Sequence, residues 1–190
     1  GRPMSDIFDE GSAILYMKVG THAQEPLADI IARKRAEIEN AGFAMWGYGG
    51  NTCHPTTMVQ PFARTHETTS RPILLCMQPM ESKHFAEPLR AEQFSSDGIS
   101  WKFIHESINV LGSRYALCIK TLKQVDASLC LGSTRVALGN SKGKLGSSYV
   151  KGRVDKACLE VIEHGSDDAE VRPIKLVAEL VQPYAVFLRG

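Results

Sequence analysis

Short apolar runs separated by polar stretches recur along this chain, and most of them are too short for helices. Residues 13–19 (AILYMKV) read as a strand that Gly20-Thr21-His22 interrupts. Pro26 suits the first turn of a helix, and Leu27, Ile30, Ile31 and Ile38 fall on one helical stripe. Arg33, Lys34, Arg35, Glu37 and Glu39 occupy the opposite face, and Gly42 fits a C-terminal cap. A helix over about residues 25–41, its charged face solvated, is therefore expected.

Further along, residues 43–48 predict a short strand, residues 59–63 a short helix or turn, and residues 73–77 (ILLCM) a buried strand. Asp97-Gly98 is a hairpin-type dipeptide flanked by Phe94 and by the alternating run 99–104. Residues 115–120, 157–162 and 184–188 predict strands. Residues 126–131 fit no single element, and 174–181 fit either a strand or a helix. Strands outnumber helices and the one long helix comes early. The fold class expected is α+β, with a mixed, strongly curved sheet or open barrel in a single domain over residues 4–190. Gly1-Arg2-Pro3 ahead of Met4 reads as a tag-cleavage scar.

Composition narrows the function classes. A formal net charge of +1 gives no global electrostatic case for nucleic-acid binding, so any such contact needs a local patch. The apolar runs fall far short of a membrane span, and no secretory signal pattern precedes them. Cys53, Cys76, Cys118, Cys130 and Cys158 are widely spaced and form no CxxC pair. That favours a reducing, cytoplasmic setting over a disulfide framework or zinc site. Cys76, Cys118 and Cys158 lie in apolar runs, where a thiol packs as a small hydrophobe.

Residues 46–55 (WGYGGNTCHP) are the densest chemical signal. Three glycines and a proline imply a specially shaped backbone, and it displays two aromatics, an amide, a thiol and an imidazole. On extended backbone Trp46 and Tyr48 project to the same side, where aromatic faces stack on a planar base. Asn51 and His54 supply polar groups to read a base edge, and His84 is a further candidate for the same pocket. Cys53-His54 also invites a nucleophile reading, but neighbours on extended backbone point apart.

The six histidines show none of the HxH, HExxH or HxxxH spacings of a metal site. No metal or cofactor is expected, unless folding gathers His22, His54 and His84. His66-Glu67-Thr68 and His105-Glu106-Ser107 match the bare pattern of two-histidine phosphoesterases, although flanking polarity places His66 in a loop. The remaining signal is residues 141–153 (SKGKLGSSYVKGR). There Lys142, Lys144, Ser147, Lys151 and Arg153, together with exposed glycine N–H groups, suit phosphate oxygens. It is not a P-loop, because GxxxxGK[ST] is absent.

The order of features over residues 13–90 resembles the PUA-like superfamily, particularly its EVE and YTH modified-base-reading domains. The pieces that carry the resemblance are residues 13–19, the helix after Pro26, Met45-Trp46-Gly47, residues 72–77 and Ser82-Lys83-His84-Phe85. The resemblance implies a small twisted barrel with a base-binding pocket lined by Trp46 and its neighbours. With only Trp46 and Trp101 in the chain, a tyrosine or phenylalanine would have to complete any aromatic cage. The function expected is binding of a nucleotide or a modified base in nucleic acid, as a sensor or reader. The alternatives are a phosphoesterase or nucleotide-processing enzyme using histidine chemistry, and a protein-interaction module of a defence or mobile-element system.

Overall fold

The computed structural model describes residues 11–21, 27–49, 52–67, 71–81, 90–110, 113–151, 154–162 and 171–190. The predicted site residues Asn51, His84 and Arg153 lie outside these ranges, as do His22, His164 and the 82–85 connection.

Nine strands join in one mixed sheet: β1 (Ala13–Thr21), β2 (Ala44–Tyr48), β3 (Leu74–Glu81), β4 (Gln93–Ser95), β5 (Lys102–Phe103), β6 (Tyr115–Cys130), β7 (Thr134–Val136), β8 (Lys156–Val161) and β9 (Val171–Arg189). The helices are α1 (Leu27–Ala41), α2 (Gln60–His66) and the single turn α3 (Gly146–Tyr149). The strand order is β2-β6-β9-β3-β1-β8-β7, with β4 and β5 attached beside the end of β9. Only β1 and β3 run parallel, and no ladder joins β2 to β7 among the described residues, so the sheet stays open. The α+β, sheet-rich class expected from the sequence is what forms.

Both faces of the central strands are buried, which explains their near-continuous apolar runs. On β1, Leu15 and Met17 enter one cluster while Ile14 and Tyr16 enter another. Leu75 and Met77 of β3 divide from Leu74 and Cys76 in the same way. The first cluster is the main core, closed by Ile31 of α1 and by Phe62 and Ala63 of α2. A third cluster forms where Met45, Cys118 and Val186 meet Ile108 and Val110.

The two ambiguous segments both become strand. Residues 126–130 end β6, and 174–181 continue into 184–188 as one long β9. Between its pairings with Ile119 and Leu117, β9 carries extra residues: Leu180 faces the first and Ala185 the second. This bulge holds the cis Gln182–Pro183 bond and Tyr184 at φ 68°. It is secured from α2, since Glu67 Oε1 accepts hydrogen bonds from Tyr184 Oη at 2.7 Å and from Gln182 Nε2 at 3.0 Å.

Two expectations need correction. The charged face of α1 is not wholly solvated. Lys34 and Glu37 are buried as an ion pair at 3.2 Å, with Lys34 Nζ donating to Asn109 O and Glu37 accepting from the Asn109 N–H. The 105–110 segment covers this face and supplies the backbone groups that compensate the charges. Nor is His66 in a loop. It ends α2, buried edge-on against Phe62, with Nε2 3.1 Å from Glu160 Oε2. Pro61 near the start of α2 and the apolar Phe62-Ala63 pair outweigh the polar flanks.

Candidate functional site

Strand register assembles the site. Tyr48 on β2 pairs with Tyr115 on β6, which pairs with Phe187 on β9, so three aromatic residues form one cross-strand row. Ring centroids lie 5.4 Å apart for Tyr48–Tyr115 and 5.7 Å apart for Tyr115–Phe187. The His54 imidazole caps the row, edge-on to Tyr115 at 5.7 Å and to Phe187 at 5.4 Å. Tyr48 and Tyr115 are buried, whereas His54 and Phe187 are half-buried and form the accessible rim. The guanidinium of exposed Arg114 lies 5.2 Å from the Tyr115 ring centroid and brings positive charge to this edge.

The backbone around the row is tightly held. Cys53, at φ 58°, turns the chain, and its carbonyl accepts the Tyr48 hydroxyl at 2.7 Å. His54 then starts a wide helical turn, Pro55–Val59, with the Met58 and Val59 N–H groups bonded to its carbonyl. His54 Nδ1 faces Thr56 Oγ1 at 3.3 Å, and its Nε2 has no hydrogen-bond partner among the described residues. Buried Gln60 donates from Nε2 to both Ser96 O and Ala185 O at 2.8 Å, tying the β4–β5 loop to β9 beside Phe187. That loop is itself ordered by Asp97, whose Oδ1 accepts from the Ile99 and Ser100 N–H groups and the Ser95 hydroxyl. These donors hold its carboxyl below the usual range.

Trp46 and Tyr48 do project to one side, as alternation requires, but that side is the main core. Trp46 is 8 % exposed and Tyr48 7 %, which leaves no ring face open for a stacked base. Burial, followed by the nearby Cys53 and Cys158 thiols, pushes the Tyr48 hydroxyl far above its ordinary pKa. Gly47 points the other way into contact with Ser113 and Val110, where a methyl group would collide. The accessible aromatic surface thus belongs to Phe187, backed by the buried Tyr115, and sequence reading singled out neither residue. Each looked like an ordinary strand aromatic, and only register brings them to His54.

The basic segment is positioned beside this turn. Gly139, at φ 87°, packs against Met58, and a methyl group there would lie 3.3 Å from the thioether. Lys142 stands one turn further on, its N–H bonded to Gly139 O. Tyr149 of α3 lies near Cys53 and Cys158, and its hydroxyl is raised by burial first and by those thiols second. Lys142, Lys144 and Lys151 are exposed, and none forms an ion pair among the described residues. Ser147 is half-buried on α3.

Part of the expected cradle of glycine N–H groups is taken up by the turn itself. Gly143 N donates to Val136 O at 2.9 Å and Lys144 N to Ser141 O at 3.0 Å, so the turn consumes them. An anion contact here falls to the Lys144 side chain.

The remaining motifs separate. His105 is exposed and accepts from its own neighbour Ser107, whereas His66 is buried at Glu160, itself 3.2 Å from Arg135. Cys53 Sγ lies 3.9 Å from Cys158 Sγ, and no contact between it and the His54 ring is found among the described residues. Among the described residues no group of three or more His, Cys, Asp or Glu side chains could hold a metal ion, and no helix is long and apolar enough to cross a membrane. No protein-family model, curated protein or solved structure matches the chain.

Proposed function

We propose that the protein binds a nucleotide or a modified base in nucleic acid, as a sensor or reader. In this reading the base sits against the half-buried His54 and Phe187, which the buried Tyr115 and Tyr48 rings back from the core side. Arg114, Lys142, Lys144 and Lys151 meet the phosphates. The observation that supports it is the seating of Gly139 on Met58, which brings the exposed lysine turn against the helical turn that His54 starts. Aromatic surface beside unpaired cations is the combination that single-stranded nucleic acid and nucleotides require.

The test begins with protein purified under native conditions and then denatured, with mass spectrometry of whatever is released. Binding of nucleotides and short modified oligonucleotides follows by calorimetry. Phe187→Ala and His54→Ala are expected to weaken binding at least tenfold. Lys142→Ala/Lys144→Ala is expected to weaken it and flatten its salt dependence. Unchanged affinity in all three variants sinks the proposal.

A second reading, turnover of a nucleotide or phosphoester, rests on His54, whose Nε2 has no hydrogen-bond partner among the described residues and suits proton transfer. Product formation that His54→Ala abolishes, with binding retained, would favour it.

A further inference from the structure

Beneath the His54 turn lies a feature that ligand binding does not use. The sulfurs of Cys53 and Cys158 are 3.9 Å apart, and both residues are buried. They come from distant parts of the chain, the turn after β2 and the middle of β8. The other thiols have no such partner: Cys76 and Cys118 sit in apolar clusters, and Cys130 Sγ accepts from the Ser133 hydroxyl at 3.6 Å. All five are free thiols.

We propose that Cys53 and Cys158 form an oxidisable dithiol, closed by hydrogen peroxide into an intramolecular disulfide that staples the His54 turn to β8. A disulfide needs its sulfurs about 2.05 Å apart, so the pair must close by roughly 1.9 Å. Cys53 stands on a turn rather than in a strand ladder, so rotation of its side chain and a small shift of the turn can close that distance without breaking a ladder.

The chemistry balances without a further reactant. The Cys53 sulfur, as thiolate, attacks one peroxide oxygen. The O–O bond breaks, and the departing hydroxide takes a proton and leaves as water. The sulfur of Cys158 then attacks the sulfenic sulfur, forming the S–S bond and breaking the S–O bond. The second hydroxide leaves as water with the Cys158 proton. Two thiols and one peroxide give one disulfide and two waters. The hydrogen bond with Cys53, reinforced by burial, raises the Cys158 thiol well above its ordinary range. The position of Cys53 on a turn, with Cys158 inside the β8 ladder, assigns the first attack to Cys53.

The test uses the intact wild-type chain, so it does not depend on a variant folding. Native protein is treated with hydrogen peroxide, quenched, denatured and alkylated with N-ethylmaleimide. The expected product is lighter by ~2 Da before labelling, because two thiol hydrogens are lost on disulfide formation. Of the five cysteines it alkylates three, the two in the disulfide being protected. A non-reducing digest joins the Cys53 and Cys158 peptides, and dithiothreitol restores all five labels. Cys158→Ala is expected to abolish the link and leave Cys53 sulfenic acid open to dimedone. Five labels after peroxide, a link through another pair, or sulfinic acid at Cys53 with no link would each overturn the proposal.

Discussion

Gly139 rests against the thioether of Met58 so closely that a methyl group in place of its hydrogen would lie 3.3 Å from both the sulfur and the terminal carbon. Its φ of 87° is also one that a side chain rarely adopts. Gly139→Ala is therefore expected to cost about 1 kcal/mol or more, read by chemical denaturation. Met58→Ala in the same chain removes the contact but not the backbone cost, so recovery should be partial. Full recovery would show that the backbone conformation contributes nothing.

Trp46 is part of the main core, and Trp46→Ala should destabilise by about 3–5 kcal/mol, the usual range for truncating a buried large aromatic. Thermal melting checks this. A variant with an unchanged midpoint and lost ligand binding would return Trp46 to the pocket wall.

Breaking the buried Lys34–Glu37 pair from one side is expected to cost about 3–5 kcal/mol, since the remaining charge stays desolvated. Lys34→Met and Glu37→Leu together should recover most of that loss. A double-mutant cycle with near-additive energies would contradict the coupling.

Acid sensitivity should have a distinct contribution from Glu67. The hydrogen bonds from Tyr184 and then Gln182 lower its carboxyl pKa in the folded protein. The unfolded chain then binds the proton more readily, so the stabilisation is complete above the ordinary glutamate value. It fades as pH falls through the lowered one. Stability measured from pH 5 down to pH 3 should decline less steeply in Glu67→Gln. An identical slope in both proteins would remove Glu67 from the acid transition.

The two separate strengths of sequence reading are visible in α1 and in the row at His54. The stripe of Leu27, Ile30, Ile31 and Ile38 placed α1 to within two residues at its start, because a helical period is a local property. The same helix misled about Lys34 and Glu37, since charge predicts exposure only where no other segment folds over it. At the site, Tyr48 and His54 were legible through the glycines around them. Tyr115 and Phe187 carried no such signal.

By itself the sequence determined the local periods: the early helix, the strands at 13–19, 73–77, 115–120 and 157–162, and the special backbone between Trp46 and Pro55. Those follow from side-chain alternation and from glycine and proline chemistry, which act over a few residues. Tertiary structure alone decided that Trp46 faces inward, that Tyr48, Tyr115 and Phe187 share one row, and that Cys53 meets Cys158. Strand register and order set these contacts. They depend on which apolar faces can be buried together across the whole chain, a quantity that no short window of residues contains.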